Sequence, residues 1–315
     1  MRKYLVTGGA GFIGSSIVKK LVLQGYHVKV FDSLQRGKLS KLEEVEGKFE
    51  FIKGDIRDAK KVVKAGQGCD GIIHLAYVNG TKFFYSNPDL VLDIAIKGMQ
   101  SVIEAGRKNG NSELFVASSS EVYQNPKVIP TPEEVPLVIP DPYNPRYSYG
   151  GGKILHELMA IHNAPLYFKK VVIFRPHNVY GPDMGEEHVI PELIRKIQKL
   201  KKDKLSKLFI QGTGKETRSY VYIDDFTKQF LLLLRKSKHL ETYNLGTQNE
   251  ISTEKLAKKI ADLEELEVTI IPGDLRQGST PRRCPDISKI KKLGFAEEFN
   301  LDMGLRQTID WYNNN

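Results

Sequence analysis

The stretch Val6-Thr-Gly-Gly-Ala-Gly-Phe-Ile-Gly14 decides how the N-terminal half folds. Gly8, Gly11 and Gly14 fall three apart, between the apolar run Lys3–Thr7 and a helix-periodic segment that Gly25 closes. In that setting Gly8 permits a tight turn, Gly11 lets the backbone approach a pyrophosphate, and Gly14 lets helix and strand pack closely. The helix N-terminus offers free N–H groups and a partial positive charge to the anion. Glycines so spaced also occur in ordinary turns. Asp32 weighs against that: it ends the next apolar run, His27–Asp32, 18 residues past Gly14. A carboxylate there accepts hydrogen bonds from an adenine-ribose 2′-hydroxyl and repels a 2′-phosphate. The combination reads as a dinucleotide site that favours NAD over NADP, and Arg36 is the one neighbour that softens the preference.

Outward from this stretch, strand-like and helix-like segments alternate: "FEFIKGD", "GIIHLA", a helical run over 88–108, "ELFVASSS", and "KKVVIFRP" after a helix over 150–162. That order predicts an α/β fold with a doubly wound parallel (Rossmann) sheet. Seven prolines between Pro126 and Pro145 mark a long surface connection. Beyond Pro176 the alternation weakens to a helix over 190–200, the strands "KLFIQG", "SYVYID" and "TYNLG", and a final helix–strand unit in "TEKLAKKIADLEELEVTII". The expected division is a cofactor domain of residues 1–175 plus about 219–250, and a smaller C-terminal α/β substrate lobe of 176–218 plus about 251–315.

Composition excludes several classes. The 315 residues are 40% hydrophobic and 27% charged, as in a soluble globular protein with a sizeable core. No apolar run reaches the ~20 residues needed to span a bilayer, and "MRKYLVTGG" has no signal-peptide form, which predicts a cytoplasmic protein without membrane insertion. Cys69 and Cys284, the only cysteines, have no ligand partners at metal spacing and read as buried thiols in a reducing compartment. Much of the +9 formal charge lies in "RKIQKLKKDKLSK", Arg195 to Lys207. With no nucleic-acid motif or interleaved aromatics beside it, the run reads as a solvated helix end rather than a nucleic-acid surface. His74, His177 and His188 lie on separate elements without ligand spacing and read as structural, so no metal is expected.

A second stretch, Arg146-Tyr-Ser-Tyr-Gly-Gly-Gly-Lys153, carries the chemistry. Apolar Ile154, Leu155, Leu158 and Met159 follow at helical spacing. Tyr149 and Lys153, four apart, share one face of that helix. A neighbouring cation favours phenolate, and a phenolate beside an oxidised nicotinamide can take the proton of a sugar hydroxyl as the carbon gives up its hydride. Each interior glycine costs the helix about 1 kcal/mol, so the three are expected to let helix and ligand approach closely.

With "TGGAGFIG", Asp32, "GD" at 54–55, "HLA" at 74–76, "SSSEVY" at 118–123, "YGGGK", "FRPHNVYGP" at 174–182 and "SYVYIDD" at 219–225 in register, the whole chain resembles the extended short-chain dehydrogenase/reductases, the NAD-dependent epimerase/dehydratases of nucleotide sugars. The resemblance implies that Phe12, Ile13, Ser33, Asp55, Ile56, Leu75, Ala76, Tyr77, Ser118 and Pro176 border the cofactor, with His177 close to the nicotinamide. It also implies that Ser119 binds the reacting sugar oxygen, and that Asn79, Ser120, Asn178, Arg218 and Arg283 (or Arg282) meet the sugar and its diphosphate. Subunit pairing through 88–108 and 150–162, as a homodimer, follows from the resemblance as well. The chain departs from its relatives at Ala95 and Met99, where many carry Asn and Thr, and at Gln124, where glycine is usual.

All reactions of such enzymes begin with oxidation at C4. Epimerisation then needs no further acid or base, and it is the leading expectation. A 4,6-dehydratase uses a carboxylate just after the catalytic serine, a role open to Glu121, which equally suits a structural acceptor. A net C4 dehydrogenase or decarboxylase, and a sensor that binds NAD without turnover, complete the alternatives.

Overall fold

In the computed structural model, residues 1–274 and 278–315 are described. Seven parallel strands form the central sheet, in the spatial order Glu241–Leu245, Lys170–Pro176, Glu113–Ala117, Gly71–His74, Lys3–Thr7, His27–Asp32 and Glu50–Lys53. The order of strands along the chain reverses beside Lys3–Thr7, running outward both ways from there. The carboxyl ends of adjacent strands part at that point and leave a crevice, the usual ligand position in open α/β sheets. Thr7 pairs with Phe31 on one side and His74 on the other, so the glycine turn, Asp32 and the segment from Leu75 emerge together.

The three glycines divide the steric work as expected. Gly8 has φ +72°, and a Cβ on it would lie 2.7 Å from Ala76 N. A Cβ on Gly14 would lie 2.1 Å from Gly8 O, whereas at Gly11 it would meet only Gly8 O at 3.2 Å. Gly11 is thus the one that stays open toward the crevice. It caps the helix Phe12–Leu23, which has no side-chain cap and no acidic residue in its first turn, leaving its N–H groups to an external anion.

Beyond Pro176 lie small sheets: Val179–Tyr180 with Val221–Tyr222, Lys207–Phe209 with Thr269–Ile271, and Thr217–Ser219 between Glu250–Ser252 and Arg282–Arg283. The segment "SYVYID" is therefore two short strands, split because Thr217–Ser219 and Val221–Tyr222 pair with different partners. The C-terminal helix Leu301–Asn314 had no counterpart in the sequence reading. The connection over 126–145 is less superficial than its prolines imply. Thr131 and Glu133 are buried, with Glu133 O accepting from Arg175 Nη1 at 2.8 Å and Thr131 O accepting from Asn244 Nδ2 at 3.0 Å.

The helix Tyr147–His162 turns an unexpected side inward. Tyr149, Gly150, Gly152, Lys153, His156, Glu157 and Ala160 are buried, while Leu158 and Ile161 are exposed. No helix among the described residues is long and apolar enough to cross a membrane. The basic run behaves as a solvated helix end, with Lys199, Lys201, Lys202, Lys204 and Lys207 exposed. Both cysteines are free and buried.

Candidate active site

A cleft of about 730 Å³ runs along the carboxyl edge of the sheet, past Gly11, Asp32, Tyr149 and Lys153 to Glu121 and Arg283. At its head, both Asp32 oxygens are engaged: Oδ2 accepts from Ala10 N at 3.0 Å and Oδ1 from Leu34 N at 2.8 Å. Phe12, Ile13, Ser33, Ile56, Leu75, Ala76 and Pro176 line the cleft, as does Asp55, whose carboxylate is held by Arg57 at 2.7 Å. Arg36 crosses the cleft mouth to Glu187 at 2.9 Å and lies over the Phe83 ring. That ion pair leaves the NAD preference of Asp32 standing.

At the centre, Ser119, Tyr149 and Lys153 line the cleft together, and Ser119 Oγ accepts from Glu121 N at 3.2 Å. Phe84 stacks on the Tyr149 ring with centroids 4.7 Å apart, and Tyr77 meets it edge-on at 5.2 Å. Burial pushes Tyr149 up to about 12, with the neighbouring Ser119 hydroxyl opposing that rise. Lys153 Nζ donates to Ala117 O at 2.7 Å and sits 6.0 Å from the centroid of the Tyr149 ring. Burial brings Lys153 down to about 7, with Glu157 opposing.

The three glycines also differ from expectation. Side chains of the protein itself, not space kept for a ligand, occupy the positions they vacate. A Cβ at Gly152 would lie 2.2 Å from the Tyr77 hydroxyl and 2.9 Å from Ala95 Cβ; at Gly150, 2.9 Å from Gln124 Nε2; at Gly151, 3.2 Å from Ile139 Cδ1. Two departures from the relatives' pattern, Ala95 and Gln124, therefore face two of the glycines.

Further along, Glu121 Oε1 accepts from Arg283 Nη1 at 2.7 Å, and Arg146 lies 3.9 Å from Oε2. Burial alone would raise the Glu121 pKa, but Arg283 and Arg146 outweigh it and hold the carboxyl below its usual range. Arg146, missed in the sequence reading, stands one helical turn before Tyr149 in the very stretch that drew attention. Among the described residues, both Arg146 and Arg283 keep a buried Nε–H without a partner, and both line the cleft. Ser120, Asn79 and Asn178 line it too; Asn178 Nδ2 is tied to Ser219 O at 2.8 Å and the Asn79 carboxamide accepts from Gly80 N.

Three expected residues have their side chains spent elsewhere. Arg218 is not among the lining residues: its guanidinium donates to Thr217 O at 2.7 Å and to Thr280 O at 2.5 Å. His177 lies behind the wall, with Nε2 3.1 Å from Asn244 Oδ1, and burial takes it down to about 3. Ser118 reaches the cleft edge, but its hydroxyl donates to Glu157 Oε1 at 2.5 Å, where Arg175 forms a buried ion pair. No cluster of His, Cys, Asp and Glu fit for a metal occurs among the described residues.

Residues 4–246 match the NAD dependent epimerase/dehydratase family. The chain belongs to that family. It is accordingly an enzyme, and its cofactor is NAD, which the open glycine turn, the uncapped helix and Asp32 fit. The UDP-glucose 4-epimerase of Mycolicibacterium smegmatis is 31% identical, with 98% of each chain covered. The UDP-N-acetyl-alpha-D-glucosaminuronate decarboxylase of Bacillus cytotoxicus is 29% identical, over 99% of this chain and 98% of its own. Among solved structures, the dTDP-glucose 4,6-dehydratase DesIV of Streptomyces venezuelae, with NAD bound, superposes with a TM-score of 0.89 at 28% identity, covering 99% of this chain and 97% of that one.

Proposed function

We propose that this enzyme is a nucleotide-sugar 4-epimerase acting through transient oxidation at C4. When bound, NAD supplies the hydride acceptor for C4 and the donor for its return. The chain's own groups manage the proton and the pose. Ser119 holds the sugar C4 oxygen, Tyr149 takes its proton and later gives it back, and Lys153, as the ammonium, favours the phenolate. Gly8, Gly11 and Gly14 hold the cofactor's pyrophosphate, and Asp32 holds its adenine ribose. Asn178 and Arg283 attract the substrate diphosphate. The lobe division of the sequence reading serves the same purpose, with residues from beyond Pro176 closing the sugar end.

The observation that carries the choice among reactions is the Glu121–Arg283 ion pair. A dehydratase needs an acid and a base beyond Tyr149. Here the carboxylate that follows Ser119 is held ionised and engaged by Arg283, which leaves it no proton to give a departing C6 hydroxyl. Epimerisation needs neither. Incubation with UDP-, dTDP- and GDP-sugars tests the reading by NMR: a new C4 diastereomer supports it. An absorbing 4-keto-6-deoxy product in alkali would replace it with the dehydratase, and NAD bound with no product from any sugar with the sensor.

A second reading rests on the Nε–H groups of Arg146 and Arg283, which have no partner among the described residues. Two guanidiniums at the sugar end suit a sugar that bears a carboxylate, and C4 oxidation of a uronate would end in decarboxylation. Release of CO₂ from UDP-glucuronate or its N-acetylated amino counterpart decides for it. The exposed Leu92, Ile96, Leu158 and Ile161 on the helices Pro88–Asn109 and Tyr147–His162 support pairing of two copies through that face.

A further inference from the structure

Lys153 occupies an awkward place. It is buried, and among the described residues no carboxylate pairs with it: Glu157, one turn on, is taken by Arg175 at 2.6 Å and by Ser118. Its one hydrogen bond among those residues goes to Ala117 O. What does face the ammonium is a ring. Nζ lies 4.1 Å from the centroid of Tyr77, well within the range of a cation–π interaction, which strengthens when the cation is desolvated.

Tyr77 is held in that attitude from several sides. Its ring meets Tyr149 edge-on at 5.2 Å and His156 edge-on at 5.3 Å. Its hydroxyl fits only because residue 152 is glycine, where a Cβ would lie 2.2 Å from it. Yet that hydroxyl is buried and has no hydrogen-bond partner among the described residues. A buried phenol without a partner costs stability, so hydrogen bonding does not account for the residue. The face of the ring does.

We propose that Tyr77 is a positioning residue whose ring keeps Lys153 in its ammonium form, one helical turn from Tyr149. The inference rests on the role given to Lys153 above and extends it to a side chain that otherwise merely borders the cofactor. Other groups near Lys153 do not replace the ring. On its own helix stand Tyr149, the neutral His156 and the already paired Glu157. The strand Gly71–His74 contributes His74, also neutral; Glu113–Ala117 and the turn after it contribute the Ala117 carbonyl and the hydroxyls of Ser118 and Ser119; Lys170–Pro176 contributes Arg175, bound to Glu157. Glu121 and Arg283 act on Tyr149 from beyond it.

The experiment is an NMR titration of protein labelled with ¹³C at lysine Cε, with the Lys153 signal assigned by its loss in Lys153→Arg. It needs no sugar, so its outcome is separate from the identity of the reaction. Tyr77→Phe keeps the ring and is expected to titrate with the wild type. Tyr77→Leu and Tyr77→Met lose it, and their Lys153 midpoint is expected to fall by about 0.5–1.5 pH units. Methionine is included because its length fills the site should leucine leave it unfolded. Turnover should follow the same order, with Tyr77→Phe retaining what Tyr77→Leu or Tyr77→Met loses. Equal midpoints in the wild type and in whichever ring-less variant folds would overturn the proposal, as would a fall in Tyr77→Phe as large as theirs. If instead the midpoints shift as expected while no sugar nucleotide turns over, the ring's role stands and the catalytic reading fails.

Discussion

Glu121 and Arg283, 162 residues apart in the chain, meet at 2.7 Å at the sugar end of the cleft, and the contact fixes the carboxylate as an ion. A carboxylate so held is a poor proton donor. Glu121→Gln keeps an acceptor for Arg283 and removes only the charge, so kcat in the epimerase assay should stay within about threefold of wild type, as for a charge outside the proton transfers. A fall of about 10²–10⁴ would instead mark Glu121 as an acid or base of the reaction.

The glycine run Gly150–Gly152 predicts an ordered series in thermal unfolding. Gly151→Ala meets only the tip of Ile139 and should gain up to about 1 kcal/mol of helix stability. Gly152→Ala drives a methyl into the Tyr77 hydroxyl and Ala95, and should lose about 1–3 kcal/mol. Adding Tyr77→Phe removes the offending oxygen and should recover much of that loss. Additive effects of the two changes would show that the hydroxyl is not what residue 152 accommodates.

That series also marks where reading the sequence stops. The turn at Gly8, Gly11 and Gly14 was legible because its constraints are local: φ at Gly8 and the approach of Gly14 to Gly8 O involve residues a few positions apart. Tyr149 and Lys153 were legible through helical spacing. The occupants of the space above Gly150, Gly151 and Gly152 were not, because Gln124, Ile139 and Tyr77 arrive from other elements. Apolar periodicity even pointed the wrong way: Leu158 faces out while His156 and Glu157 are buried, since the inner face of this helix is chosen by the site and not by hydrophobicity. Arg146 stood in the quoted stretch, but only the fold brings it to Glu121.

Buried histidines predict loss of stability in acid. Burial lowers His74 and His177 to about 3 each, and His156 is also well below its ordinary value. The unfolded chain takes up these protons near pH ~6.5, so it binds more protons than the folded chain below that pH. Stability is then full above about 6.5 and falls as pH drops toward 3, each histidine adding about 1.4 kcal/mol per pH unit to the slope. His177→Gln, which can still bond Asn244, should flatten the slope of unfolding free energy against pH by one proton. An unchanged slope would mean that His177 already carries its proton in the fold.

Tyr149→Phe should lower turnover by about 10²–10⁴ while NAD remains bound, since the hydroxyl is lost and the ring that packs on Phe84 is kept. Equilibrium dialysis with NAD and an NMR assay of product separate the two effects. Retained activity would remove Tyr149 from the proton transfer.

Asp32 supplies a test of cofactor choice. Its two oxygens already bind Ala10 N and Leu34 N, so Asp32→Ala would loosen the turn for either cofactor. Asp32→Asn is the sharper variant: it keeps one acceptor and removes the charge that repels a 2′-phosphate. A hydrogen bond from a ribose hydroxyl to a charged group contributes about 1.5–3 kcal/mol, so NAD should bind about 10- to 150-fold more weakly, while NADP holds or gains. Arg36 sets the second step. It is now paired with Glu187 at 2.9 Å, and adding Glu187→Gln to Asp32→Asn should release it to meet a 2′-phosphate and move the NADP-to-NAD ratio further. Fluorescence titration with both cofactors reads the ratio directly. Equal losses for NAD and NADP in Asp32→Asn would place the adenine ribose away from this carboxylate.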